Sequence, residues 1–379
     1  DVTVKDILFD GKKFLENEFI VPAYTIKVFP VVIATQILGI QDNRIIVKTG
    51  YKGFIRQVKN KITLVSDGLK NPLILHSSRD AGFLKALRGG DSEFKKGNWT
   101  INKPIVVNGN LHIPAGVNLK FSPNAYLIVK GALSITGDER KPVILEPSLD
   151  SWKGVYVLKA NKRSSLKHVL IKNITSLEDG LLRLTGGITF YKSDVDLENV
   201  KIEGVKAEDA INIIESDFSI NFVSVSNTTS DGLDSDFSRG TVSQSIFSNI
   251  GGDALDFSGS NVEIEGFEAI NVKDKAISGG EKSIVNISNS TFKEVSIGIA
   301  SKDGSSVFAR NTSILKYGRH AVMSYIKKDF YGVPEATLLN CQVDRGNPYA
   351  RQIGTNMVVD GLEVLEIEID VEKLYQNPS

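Results

Sequence analysis

From residue 154 to residue 323 the apolar and polar positions recur with a period near 22. The segments Gly187-Ile188-Thr189, Ala210-Ile211-Asn212, Gly232-Leu233-Asp234, Ala254-Leu255-Asp256, Ala276-Ile277-Ser278, Gly298-Ile299-Ala300 and Ala321-Val322-Met323 each carry a tiny residue, an aliphatic one, then usually a small or polar one. Their starts differ by 23, 22, 22, 22, 22 and 23 residues. An earlier member, Gly154-Val155-Tyr156, stands 33 residues before Gly187, which leaves room for an insertion around residues 176–185. About half a period before each small residue lies a second alternating run, as in Val195-Asp196-Leu197, Val262-Glu263-Ile264 and Val285-Asn286-Ile287. Alternation is strand periodicity. Two or three short strands per 22-residue turn, with Asn, Gly and Ser at the corners, describe one coil of a parallel β-helix. Helical solenoids need about 30 residues or more per repeat and a 3.6 period, and leucine-rich repeats need their own Leu spacing. Neither pattern is present.

The spacing therefore predicts an all-β protein whose residues 96–379 form a right-handed parallel β-helix. Asn227, Asn249 and Asn271, at intervals of 22, are expected to stack as an asparagine ladder in a bend. Residues 111–129 alternate and are punctuated by Pro114 and Gly116, so coils extend upstream; residues 362–371 alternate again and are expected to close the C-terminal end. Residues 1–95 carry strand-like runs (26–33, 44–48 and 62–65) without the 22-residue register, and read as an N-terminal β-rich domain or cap. A cap is physically required, because an open first coil exposes both a core and a strand edge.

Composition narrows the function. The 379 residues hold 45 Lys+Arg against 45 Asp+Glu, a formal net charge of zero. That balance argues against nucleic-acid or anionic-membrane binding, both of which need a basic excess. Cys341 is the only cysteine, which excludes an intrachain disulfide framework and a multi-Cys zinc site. The longest apolar stretch, residues 28–40, falls short of the ~20 that span a bilayer. With Asp1 in place of Met and no basic-then-apolar leader, the start reads as processed or engineered. A nearly cysteine-free chain suits a bacterial exported protein, secreted or at the cell surface, as well as a cytosolic one.

Let the small residue of each repeat be position 2. Position 3, always aliphatic, then points inward and position 4 is expected to face solvent. Position 1 reads Asp209, Asp231, Asp253, Lys275, Ile297 and His320; position 4 reads Asn212, Asp234, Asp256, Ser278, Ala300 and Met323. Positions 6 and 7 add Asp236, Glu281, Lys302 and Asp303. With coils ~4.8 Å apart, these residues form a carboxylate-rich patch beside a shallow trough, with Lys275 and Lys302 at its far edge. Stacked carboxylates repel unless something compensates. A shared proton, a Ca²⁺ ion or the two lysines would each serve.

A family resemblance rests on the same coils. Asn227-Thr228-Thr229-Ser230-Asp231-Gly232-Leu233-Asp234 resembles the Asn-Thr-Asp-Gly-Ile motif of polygalacturonase-type glycoside hydrolases, and Gly251-Gly252-Asp253-Ala254-Leu255 resembles their Gly-Asp-Asp-Cys-Ile motif. Asp274-Lys275-Ala276-Ile277-Ser278 falls where they carry Gly-His-Gly-Ile-Ser, and Gly298-Ile299-Ala300-Ser301-Lys302 where they carry Gly-x-Arg-Ile-Lys. The resemblance covers residues 105–345. It implies the pectate-lyase-like superfamily fold, with Asp231 and Asp253 matching two of three essential carboxylates and Lys302 a substrate-binding Lys. Gly252, Lys275 and Ala300 replace the remaining Asp, the His and the Arg.

These observations lead to an extracytoplasmic protein acting on an acidic or complex polysaccharide, as hydrolase, lyase or epimerase. For hydrolysis with inversion Asp231 and Asp253 would be acid and base, ~6.5–9.5 Å apart, with Asp234 and Asp256 as further candidates. For a lyase or epimerase, Lys275 or Lys302 would abstract the proton α to a uronate carboxyl while Asp236, Asp256 or Glu281 holds Ca²⁺. Lys302, Asp303, Glu281, Asp209 and His320 are the expected substrate contacts. The rival is a non-catalytic surface or coat module whose acidic rungs bind Ca²⁺, a glycan or a protein partner. Among other features, Trp152 and Tyr156 offer an aromatic sugar platform or a packed wall, Cys341 reads as a small core residue, and His76, His112 and His168 lie in unrelated contexts.

Overall fold

The computed structural model describes residues 2–9, 12–13, 19–21, 44–51, 54–61, 81–179 and 182–376. The chain divides into two compact units, Asp1–Leu75 with Asp179–Leu182, and His76–Glu178 with Arg183–Ser379. In the first unit Val2–Phe9, Lys12–Lys13, Phe19–Val21, Arg44–Tyr51 and Phe54–Lys61 form an antiparallel five-stranded sheet. The run at 44–48 lies within it; the runs at 26–33 and 62–65 lie outside the described residues, as does His76.

The second unit is a parallel β-solenoid of ~12 turns with ~22-residue spacing. Its first turn is made by Ser92–Phe94, Gly97–Ile101 and Ile105–Val107, which pair in parallel with Leu111–Pro114, Val117–Phe121 and Leu127–Val129. Leu84–Ala86 runs antiparallel to Ser92–Phe94 and covers an edge that would otherwise present bare backbone groups. Where the insertion is expected, Leu177–Asp179 and Leu182–Leu184 form a separate two-stranded sheet. No helix among the described residues is long and apolar enough to cross a membrane.

The 22-residue register holds in full. Ile211, Leu233, Leu255, Ile277 and Ile299 pair rung to rung and are all at most 1% exposed. Burying one aliphatic side chain contributes about 1.5–3 kcal/mol, so such a column fixes register strongly: a one-residue slip would turn every member outward. Phe247, Phe267 and Phe292 form a second inward column with ring centroids 5.2 and 6.3 Å apart.

Two polar ladders hold the corners. Asn249 Nδ2 donates to Asn227 Oδ1 at 3.1 Å and Asn271 Nδ2 to Asn249 Oδ1 at 2.8 Å, on the exposed side of the bend. All three asparagines have φ between 54° and 58°, the left-handed region that Asn tolerates better than other residues with a Cβ. Sequence reading missed the other ladder. The backbone N–H groups of Ser193, Ser216, Ser238, Ser260 and Ser283 each donate to the hydroxyl of the serine one turn on, ending at Ser305. These buried turns thereby keep their amide donors satisfied.

Trp152 is fully buried and stacks on Phe121 with centroids 4.0 Å apart, and Tyr156 is likewise buried, so both are wall residues and not a sugar platform. Cys341 is half-buried against the core. His112 bridges Glu93 and Thr136 across three rungs at 3.2 and 2.9 Å. The end of the solenoid departs from the alternating strand expected at 362–371. Leu362–Glu363 turns back antiparallel on Asn356–Val359, Glu366–Ile367 adds a last short rung, and Val371–Gln376 is a helix.

Candidate active site

The strands Asp209–Ile214, Asp231–Asp236, Leu255–Ser258, Glu268–Gly280, Thr291–Lys302 and His320–Tyr325 stack as consecutive rungs of one sheet. Positions 1, 4 and 6 share its outer face. Position 4 is not the solvent-facing column expected. Asn212 is 7% exposed, Ser278 and Ala300 are fully buried, and Met323 is 1% exposed, while Asp234 and Asp256 stay half-open. Over Ala300 and Met323 the cover is the segment carrying Ile369, Val371 and Leu374, which packs on Ile297, Ala300, Met323, Tyr325 and Ala350.

The lysines are not at the edge of the patch but inside it. Lys275, 4% exposed, places Nζ 3.1 and 3.3 Å from the two carboxylate oxygens of Asp253 and 2.5 Å from Asp274 Oδ2. Lys302, 7% exposed, reaches back two rungs to within 3.8 Å of Asp256 Oδ1. Gly280 clears its path: a Cβ there would sit 3.3 Å from Lys302 Cε.

One carboxylate oxygen from each of Asp231, Asp253 and Asp256 lies within 4.8 Å of the others. The Asp231–Asp253 approach is thus closer than the ~6.5–9.5 Å expected for inversion. Backbone amides fix the column: Asp253 N–H donates to Asp231 Oδ1 at 2.8 Å, and Lys275 N–H to Asp253 Oδ1 at 2.9 Å. Gly252 is required by this arrangement. A Cβ at 252 would fall 1.9 Å from Asp231 Oδ1, so the Asp231 carboxylate fills the space that a side chain at this position needs.

These environments separate the ionisation of neighbouring acids. Burial and the adjacent Asp253 carboxylate push Asp231 up to about 8. Burial raises Asp209 to about 7 against the hydrogen bond from Asn212 Nδ2. Asp253 rises to about 6, burial outweighing the Lys275 ammonium. Asp234 is pushed well above the usual carboxylate range by burial and by Asp236. Asp256 moves the other way: burial, the largest single influence, opposes its charge, but Lys302, Ser278, Lys275 and the Phe257 backbone together outweigh burial and hold it below that range. Both lysines are raised, since their carboxylate partners more than offset burial.

Of the remaining expected residues, Asp236 lies at position 6 opposite Ser258 on the open stretch of the face. Glu281 accepts from Ser258 Oγ at 2.8 Å and pairs with Lys328. Asp303 is buried and takes the backbone N–H groups of Lys327 and Lys328 at 2.7 and 2.6 Å, which makes it a turn anchor remote from solvent. His320 stands in the position-1 column but is bonded to Asn347 O at 3.0 Å, three rungs beyond Asp253. Sequence reading missed Asp274, Tyr325, Lys327 and Tyr375. Tyr325 pairs with Lys302 at position 6, so extending the register by one rung finds it. Tyr375 lies outside the repeat and carries no such signal; its hydroxyl is 2.7 Å from that of Tyr325, and Lys327 Nζ sits 3.7 Å from its ring centroid.

Asp231, Asp253 and Asp256 bring three carboxylate oxygens close enough to hold a hard cation, and Asp256 is shared with the Asp236–Asp256 pair expected from sequence. Elsewhere, a groove of about 450 Å³ is lined by Asp138, His168, Asn199, Lys201 and Phe222 among others. There Asp138 Oδ1 accepts from the N–H groups of Arg140 and Lys141, and Glu139 also lines the groove.

No protein-family model matches the chain, and no curated protein matches it. Among solved structures it is similar to an alginate lyase from a Paenibacillus species, at 11% identity and a TM-score of 0.39, over 63% of this chain and 90% of that one. It is also similar to the Siphovirus 9NA tailspike receptor-binding domain, at 8% identity and TM-score 0.41, over 70% of this chain and 53% of that one. A third likeness is to the catalytic domain of an alpha-1,3-glucanase in complex with nigerose, at 13% identity and TM-score 0.33, over 64% of this chain and 61% of that one. The parallel β-helix of this chain rests on its own rung-to-rung strand pairing.

Proposed function

We propose that this protein is an extracytoplasmic glycoside hydrolase, with Asp231, Asp253 and Asp256 as its reacting carboxyls. The observation that carries the reading is the opposed ionisation of acids whose oxygens lie within 4.8 Å: Asp231 pushed up to about 8, Asp256 held ionised by Lys302. Neighbouring carboxyls pushed apart in this way are the arrangement that glycoside hydrolysis uses. Asp231, protonated at neutral pH, gives its proton to the glycosidic oxygen. Asp256 supplies the negative charge at the anomeric carbon, and Asp253 with Lys275 stands beside both. Carboxylate oxygens within 4.8 Å of one another leave little room for a water between the acids, which supports a double displacement.

The same geometry disfavours a lyase or epimerase. A lysine base must be neutral to take a proton, and both Lys275 and Lys302 are held protonated by their partners. Nor is either ammonium free to receive a uronate carboxylate. Lys275 is engaged by Asp253 and Asp274, and Lys302 by Asp256. A trough whose two buried lysines are so committed suits a neutral glycan better than a polyanion. Gly252, in place of the third carboxylate of the resembled motif, favours the rival reading of a glycan-binding surface module without turnover.

A panel of neutral and acidic polysaccharides, assayed for new reducing ends and for the anomer of the first product by NMR, tests the proposal. Turnover of a neutral glycan with retention is expected, abolished by Asp231→Asn and by Asp256→Asn. Binding without turnover on every glycan sinks the hydrolase reading and leaves the module.

A further inference from the structure

We propose that the segment carrying residues 369–376 closes one end of the trough, so that the site is a blind pocket taking a glycan chain by its end. The inference rests on the hydrolase reading above and adds to it the mode of attack.

Three walls define the pocket. Toward the later rungs, Leu374 and its neighbours bury Ala300 and Met323, and Arg319 Nη1 ties the segment down by donating to Leu374 O at 3.3 Å. Tyr375 then stands over the cations, its ring centroid 5.8 Å from Lys275 Nζ and its hydroxyl on Tyr325. Toward the earlier rungs the outer-face residues Thr189 and Asn212 are buried as well, 3% and 7% exposed. Across the sheet, beyond position 6, Glu281 links Ser258 to Lys328 and so pins the Asp329–Tyr331 turn beside the face. What stays open along position 4 is Asp234 and Asp256 alone, two rungs or ~10 Å at the spacing of parallel strands. A polysaccharide lying along the sheet needs more length than that on both sides of the scissile bond. A chain end needs it on one side only.

The test uses oligosaccharides of neutral glucan, galactan, mannan and xylan labelled at the reducing end, with products followed over time by chromatography. The full chain is expected to shorten its substrate stepwise from one end, releasing a single small product. Tyr375→Ala and Leu374→Ser, both on the closing wall and outside the reacting carboxyls, are expected to raise the ratio of internal to terminal cuts about tenfold. Circular dichroism and thermal melts confirm that the variants fold. Internal cutting by the unaltered protein overturns this inference while leaving the hydrolase reading intact. An unchanged product pattern in both folded variants also overturns it, because the segment then forms no wall. No turnover on any substrate defeats the hydrolase reading and this inference together.

Discussion

Raising the pH from 5 to 8 should destabilise this β-helix, because the fold keeps neutral several carboxyls that the unfolded chain ionises. Asp231 moves from an ordinary 3.8 to about 8, Asp209 from 3.8 to about 7 and Asp253 from 3.8 to about 6. For an acid whose folded value is raised, the penalty begins above the unfolded value and is complete above the folded one. Over that window the native state binds the extra proton, so stability falls by about 1.4 kcal/mol per pH unit for each such group. Asp256, Lys275 and Lys302 add no slope, since each is charged in both states throughout the window. Asp231, Asp209 and Asp253 stay protonated in the fold for about three, two and one pH units above pH 5, so the loss from pH 5 to pH 8 reaches about 8 kcal/mol as an upper bound, with Asp234, also raised, acting in the same direction. Asp231→Asn keeps the acceptor for Asp253 N–H while removing one titration. Its stability profile should be flatter by about 1.4 kcal/mol per pH unit, and the variant should be the more stable protein at pH 8. Urea unfolding at a fixed ionic strength measures this through tryptophan fluorescence. Both tryptophans, Trp99 and Trp152, belong to the β-helical unit. Wild-type stability that is level or rising between pH 5 and 8, or an unaltered slope in Asp231→Asn, would refute the reasoning.

Three further substitutions probe separate parts of the argument. Gly252→Ala forces the Asp231 carboxylate out of its seat and breaks the bond from Asp253 N–H, for a loss of about 1.5–3 kcal/mol in urea unfolding; a neutral effect would show that the carboxylate is not seated there. Lys302→Met leaves the Asp256 charge without its partner, destabilising by about 3–5 kcal/mol at pH 7. That loss should shrink as acid protonates Asp256, and its persistence at pH 4 would contradict the pairing. Leu255→Asp places an unpaired charge in the fully buried aliphatic column and should cost more than about 4 kcal/mol, to the point of insoluble expression. A soluble variant with a near-native melting temperature would mean that Leu255 does not point inward.

Periodicity made the solenoid legible because each rung repeats one physical requirement. Position 3 must be aliphatic to fill the core, and a corner in the left-handed region is met by Asn at 227, 249 and 271. A reader who finds those two columns has the register of every rung between them. The serine ladder was just as regular, at 193, 216, 238, 260, 283 and 305. Serine is common at any surface turn, so the spacing alone did not distinguish buried hydroxyls from solvated ones. Elements that do not repeat gave no such purchase. The helix Val371–Gln376 docks through Leu374 and Tyr375 on rungs about 50–100 residues earlier in the chain, and only the folded backbone brings them together.

The acidic face shows where a rung-by-rung reading stops and why. Neighbouring-rung logic places Asp231 beside Asp253 and sees repulsion, which is correct. It then puts Lys302 at the far edge, because that residue belongs to a rung two steps away from Asp256. A lysine side chain spans those two rungs only where the intervening residues are small, and Ser278 and Gly280 are. The cation is therefore delivered through a gap in the sequence pattern rather than by a residue next to the acid. The outcome is a set of carboxyls in unlike states: neutral at Asp231, ionised at Asp256, intermediate at Asp253. For stability alone, asparagine at 231 would serve the same amide without the burial cost. A chain that keeps acids there bears a pH-dependent penalty that a use for these carboxyls makes intelligible: on the proposed reading it is proton transfer to a glycosidic oxygen, and holding a hard cation would be another such use.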